Sequence, residues 1–122
     1  MAVARTLKIN ELLKRAMSEI IQDRYRDRKA PWMTISRAET SRDLRFCKIY
    51  LTVLGDESKE KEALSKLKED TPRIRFILGH KVDLRIVPNL EFAIDEDLKE
   101  ALKVDALIEK NGPIPPPPEE EE

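Results

Sequence analysis

At 122 residues, with 40% hydrophobic and 39% charged side chains, the chain can bury one core under a densely ionised surface and is too short for two. No apolar run approaches the roughly 18 residues of a membrane span, "MAVARTLKIN" lacks the apolar heart of a signal peptide, and single Cys47 and His80 residues exclude an internal disulfide and a zinc cluster. A cytoplasmic protein without membrane, metal or cofactor is expected, and its formal charge of −1 hides a segregation: residues 1–90 carry 20 Lys+Arg against 13 Asp+Glu, residues 91–122 carry 3 against 11.

Residues 6–24 predict an amphipathic helix capped by Thr6, with Ile9, Leu12, Leu13, Ala16, Met17, Ile20 and Ile21 at helical spacing and Lys8, Glu11, Arg15, Ser18 and Gln22 on the opposite face. A basic turn follows, containing Arg24, Arg26 and Arg28. From Trp32 to Gly55 the β-branched and aromatic content rises, and "SRD" at 41–43 offers the turn of a hairpin. In its second arm Cys47, Ile49, Leu51 and Val53 alternate with Phe46, Lys48, Tyr50 and Thr52, the period of a strand with one buried face, so Cys47 is expected to be an inert packed thiol.

Residues 57–70 are helical in composition, with a thin stripe of Ala63, Leu64 and Leu67. Pro72 then predicts a break, with Thr71 capping a second helix that carries Ile74, Ile77 and Leu78 and ends near Gly79 to Lys81. Val82, Leu84 and Ile86 alternate, as do Leu90, Phe92 and Ile94 beyond Pro88, which predicts a third strand at an edge or with a bulge. A last helix is expected over 96–110. The segment "PIPPPPEEEE" cannot bury apolar surface, so the expected boundaries are a domain over 1–110 and a solvated, disordered tail over 111–122.

The order helix, strand, strand, helix, helix, strand, helix is that of an α+β domain with a three-stranded sheet covered on one face. Two strands, two helices joined by a turn and a third strand are the arrangement of a type II KH-like domain, which grips nucleic acid at the inter-helix turn. Arg73 and Arg75 would add cations at a helix N-terminus that already favours anions, an arrangement suited to a phosphate, whereas the plain alternative is a solvated corner neutralised by Glu69 and Asp70. The Gly-x-x-G of an ordinary KH turn is missing: the glycines are Gly55, Gly79 and Gly112.

In combination, "TSRDLRFCKIYLTVLGD" at 40–56, "IRFILG" at 74–79 and "LRIVPNLEFAID" at 84–95 resemble the bacterial ribosome-binding factor A family over residues 5–108. The resemblance implies a variant KH fold and a non-catalytic cytoplasmic factor; a monomer is expected, since nothing in the sequence demands a dimer. Such a factor binds the immature small (30S) ribosomal subunit and its 16S rRNA and assists late rRNA processing, with a ribosome-assembly GTPase as a candidate further partner. Where the family usually carries Ala-x-Gly at the kink, this chain has Asp70-Thr71-Pro72, which removes one backbone donor and shifts the expected phosphate contact onto side chains.

The candidate RNA-binding residues are Lys8, Arg15, Arg42, Arg45, Lys48, Thr71, Arg73, Arg75, Lys81 and Arg85, each by itself more commonly a solvated surface residue than a contact. The six aromatic residues are expected mostly in the core, which favours phosphate and shape recognition over base readout. Asp43 and Asp95 read as hydrogen-bonded turn residues, and His80 as a helix-end residue. With no phosphate loop and no Ser/His/Asp set, no enzyme is expected. The competing class is a protein-interaction module of α+β fold whose basic charge is incidental.

Overall fold

The computed structural model describes residues 2–26 and 30–102; the expected helix past 102, the tail, and Arg28 lie outside them. The order is α1 (Ala2–Tyr25), β1 (Met33–Thr40), β2 (Phe46–Val53), α2 (Glu57–Lys81) and β3 (Asn89–Ile94), followed by a helical segment at 96–102. The sheet order is β1-β2-β3, with β1 antiparallel and β3 parallel to the central β2.

α1 starts at Ala2, so Thr6 lies inside the helix and is not its cap. Leu13, Ala16, Met17, Ile20 and Ile21 are buried as their spacing predicts, whereas Leu12 is exposed. In β2, Cys47, Ile49 and Leu51 face the helices and Phe46, Lys48 and Tyr50 the open side of the sheet. β1 keeps Met33, Ile35 and Ala38 inward only because a bulge at Ser36 inserts an extra residue and resets the alternation. The bulged Ser36 hydroxyl donates to Asp95 Oδ2 at 2.6 Å and also lies 3.1 Å from the Tyr50 carbonyl.

The expected inter-helix corner does not exist. α2 is continuous for 25 residues, with Pro72 inside it. Its N-cap is Asp56, whose carboxylate accepts from the Lys59 N–H at 3.2 Å. Buried Ala63, Leu67, Ile74 and Leu78 lie on one helical stripe across Pro72, so both halves bury the same face against the sheet. That burial outweighs the missing hydrogen bond of the proline, about 3 kcal/mol relative to alanine in a helix interior. Thr71 is therefore no cap: its hydroxyl donates to the Leu67 carbonyl one turn back, at 2.7 Å.

Two ties set α1 and α2 running in opposite directions. Lys81, in the last turn of α2, meets Glu19 at 2.8 Å. Tyr25, at the end of α1, donates its hydroxyl to Asp70 Oδ2 at 2.5 Å, with Arg24 Nε 3.4 Å from the same oxygen. The Tyr25 bond, then Arg24, holds Asp70 below the usual carboxylate range; burial and the adjacent carboxylate push the Tyr25 hydroxyl up. Asp70, two residues before Pro72, is thus held from across the helix pair.

The third strand is shorter than its alternation suggests. Val82 to Val87 form no strand, and β3 begins only after Pro88, in keeping with a proline outside the ladder. α2 ends at Lys81, within the span its sequence predicts; Gly79 lies in the helix where Val87 approaches, and a Cβ there would stand 3.1 Å from Val87 Cγ2. Beyond β3, Asp95 caps the last helical segment by accepting from the Leu98 N–H at 3.1 Å. Ser36 first, with that backbone bond and Arg37, holds this buried carboxyl below its ordinary range. Cys47 is buried, and burial pushes its thiol up. No helix among the described residues is long and apolar enough to cross a membrane.

Candidate nucleic-acid interface

The β1–β2 turn is built by its own polar residues. The Ser41 N–H donates to the Phe46 carbonyl at 2.8 Å, and the Leu44 N–H to the Ser41 carbonyl at 2.9 Å. Asp43 accepts from the Ser41 hydroxyl at 2.7 Å and the Arg45 N–H at 3.1 Å, bonds that lower its pKa. Leu44 is held with φ at +62°, a left-handed conformation that a leucine enters only under constraint. The turn is over-determined, and it projects Arg42 and Arg45 into solvent on either side of Asp43 and Leu44.

The start of β3 locks onto the same turn. The Asn89 N–H donates to the Arg45 carbonyl at 2.8 Å, and Phe46 pairs with Asn89 in register. Beside it, Ile9 and Leu13 of α1, Leu44 of the turn, and Leu84, Ile86 and Pro88 line a groove of about 280 Å³, with Asp43, Asp83 and Arg85 among its polar walls. Arg42, Arg45 and Arg85 therefore share one end of the molecule. Among the described residues none of the three forms an ion pair at contact distance, although Arg45 lies near enough to Asp43 to add to the lowering of its pKa by the Ser41 hydroxyl.

Lys8 precedes the groove residue Ile9 on the exposed face of α1, and Arg15 follows two turns on. Lys48 stands on the open sheet face between Glu39 and Glu91 by register, its Nζ 5.5 Å from the Tyr50 ring centroid. Lys81 is paired with Glu19, which raises the lysine and lowers the glutamate.

Arg75 is engaged inside the fold. Its Nε donates to the Pro88 carbonyl at 3.0 Å and its Nη2 to the Val87 carbonyl at 2.8 Å, so it fastens the segment carrying Arg85 to α2. Arg73 is exposed and has no ion-pair partner among the described residues, its guanidinium carbon 5.4 Å from the Phe76 ring centroid. Because α2 does not restart at Thr71, neither arginine sits at a helix N-terminus, and the dipole argument for a phosphate there fails.

The aromatic expectation also needs correction. Trp32, Phe46 and Phe76 are exposed, leaving half of the six aromatic residues in solvent. For Phe46 the signal was available: it occupies an outward position in the β2 alternation. His80 lies in the last turn of α2, near the helix end as expected, with Nδ1 3.0 Å from the Phe76 carbonyl one turn before it. Among the described residues no group of three or more His, Cys, Asp or Glu could hold a metal ion.

Residues 5–108 match the sequence model of the family described as Ribosome-binding factor A. The chain is 38% identical over 111 residues to Ribosome-binding factor A of Clostridium acetobutylicum, covering 90% of this chain and 92% of that one. The crystal structure of ribosome-binding factor A from Thermus thermophilus superposes with a TM-score of 0.64 at 27% identity, covering 73% of this chain and 94% of that one. A homology model of the Thermus thermophilus factor, fitted into a cryo-electron-microscopy map of a 30S complex, superposes with a TM-score of 0.59 at 27% identity, covering 69% of this chain and 88% of that one.

Proposed function

Since the chain belongs to the ribosome-binding factor A family, we propose that it binds the immature small ribosomal subunit in the cytoplasm, through 16S rRNA, and assists rRNA maturation without catalysis. The observation that carries the reading is the rim of Arg42, Arg45 and Arg85, three exposed cations with no contact ion pair among the described residues, displayed by a rigid turn and a tethered segment. Such exposed guanidinium groups suit phosphate oxygens, which accept two parallel N–H bonds from one arginine. Lys8 and Arg15 extend the positive surface along α1. The fitting of a relative into a 30S map supports the choice of subunit.

The test is co-sedimentation with immature small subunits across a salt series. Each phosphate contact contributes about −0.7 to −0.9 to the slope of log affinity against log salt. Replacing Arg42, Arg45 and Arg85 with Gln should make that slope shallower by about 2 to 3 and weaken binding at low salt. An unchanged slope would place the interface elsewhere.

A further inference from the structure

In the last third of α2, three side chains meet on one exposed face. Phe76 is 57% exposed, although the rest of the apolar stripe of this helix is turned inward. Its ring lies 4.4 Å from the His80 ring at an interplanar angle of 43°, and the Arg73 guanidinium carbon lies 5.4 Å from its centroid. Positions 73, 76 and 80 follow one another at helical spacing, so a cation, a phenyl ring and an imidazole form one continuous ledge. Glu69 lies one turn before Arg73, yet no ion pair joins them. The His80 Nδ1 must carry a proton to reach the Phe76 carbonyl, which fixes the imidazole beside the phenyl ring and leaves Nε2 free to accept a hydrogen bond when the ring is neutral.

We propose that the Arg73–Phe76–His80 ledge is a stacking site for an unpaired nucleotide, with the base on Phe76 and His80 and its phosphate on Arg73. The inference rests on the rRNA-binding reading above and adds to its phosphate rim a second kind of contact, made to a base face. A lone exposed phenylalanine would mean nothing. What favours RNA as the occupant is the pairing of the ring with an uncompensated cation. Aromatic and guanidinium planes together hold splayed bases, and the stem of Arg73 allows its head to swing from the ring onto a phosphate.

Phe76→Ala and Phe76→Leu in the full chain are expected to weaken binding to immature small subunits, and to a short oligoadenylate, by about 5- to 150-fold, the range for losing one base–aromatic stack. Their salt slope should match the parent, since no phosphate contact is removed. Phe76→Trp, made with Trp32→Phe so that it is the sole indole, should retain binding and lose fluorescence on adding oligoadenylate. Unchanged thermal midpoints would confirm that these exposed substitutions leave the fold intact. If Phe76→Leu binds both probes like the parent, the ledge is not a stacking site, while the arginine-rim series still reports separately on subunit binding. If Phe76→Ala loses the subunit but not the oligoadenylate, a ribosomal protein occupies the ledge and the proposal is overturned.

Discussion

Arg73 and Arg75 stand two residues apart on α2, identical in type and opposite in expected behaviour. Arg75→Ala removes two charge-assisted hydrogen bonds, to the Val87 and Pro88 carbonyls at 2.8 and 3.0 Å. Bonds to charged groups contribute about 1.5–3 kcal/mol each when well shielded. Arg75 is only half-buried, so water can replace part of what is lost, and a total cost of about 2 kcal/mol is expected. With a urea m-value of roughly 1–3 kcal/mol/M for a small domain, the unfolding midpoint followed by circular dichroism should fall by about 1 M. Arg73→Ala breaks no bond within the fold and should stay within about 0.5 kcal/mol of the parent. Amide exchange supplies a second reading: Arg75→Ala should release the 82–88 segment selectively. Arg75→Lys should recover less than half of the loss, because an ammonium group lacks the planar fork that spans both carbonyls. Equal costs for the two alanine variants, or an Arg75→Ala cost below about 0.5 kcal/mol, would refute the assignment of Arg75 as a tether.

Pro72→Ala should raise stability by about 1 kcal/mol or more, since the helix regains a backbone donor within a stripe that is already buried on both sides; a lower thermal midpoint would show that the proline shapes the helix in a way the core requires. Asp95 has a folded pKa below its unfolded one, so its stabilisation is fully present above the unfolded pKa and is lost as pH falls through the folded pKa. Asp95→Asn should therefore cost stability at neutral pH and flatten the pH dependence of unfolding in the acid range, as chemical denaturation at a series of pH values would detect. Tyr25→Phe should cost about 1 kcal/mol by removing one donor from Asp70, measured by the same denaturation curves, and should move the Asp70 carboxyl back towards its ordinary range by NMR titration.

The strands and helices that the sequence made legible were those whose signal is local. The alternation of Cys47, Ile49 and Leu51 marked β2 because a half-buried strand repeats every two residues, and the stripe from Leu13 to Ile21 marked α1 for the corresponding helical reason. Pro72 misled because a proline is judged by its neighbours, whereas its tolerance was decided by Leu67 and Ile74 meeting the same core. Val82, Leu84 and Ile86 alternate like a strand, but the Val82 carbonyl accepts from the Leu84 N–H in a local turn, Arg75 takes the Val87 and Pro88 carbonyls that follow, and the run forms no strand. At the site, the positive charges were visible and their availability was not. Arg75 and Lys81 are committed to Val87 and Glu19, partners that only the folded chain brings near, while Arg42, Arg45 and Arg85 form no contact ion pair among the described residues.

The parallel pairing of β2 with β3 has a consequence for how the molecule comes to be. The β1–β2 hairpin closes over a short turn and can form early, but β3 joins only after the chain has travelled the length of α2 and returned, so that Asn89 meets the carbonyl of Arg45 across 44 residues. Closing so long a loop is slow compared with forming a hairpin or a helix. The three rim arginines thus come from two parts of the chain that become neighbours late. A growing or partly folded chain holds Arg42 and Arg45 without Arg85, and the complete rim is itself a sign that folding has finished.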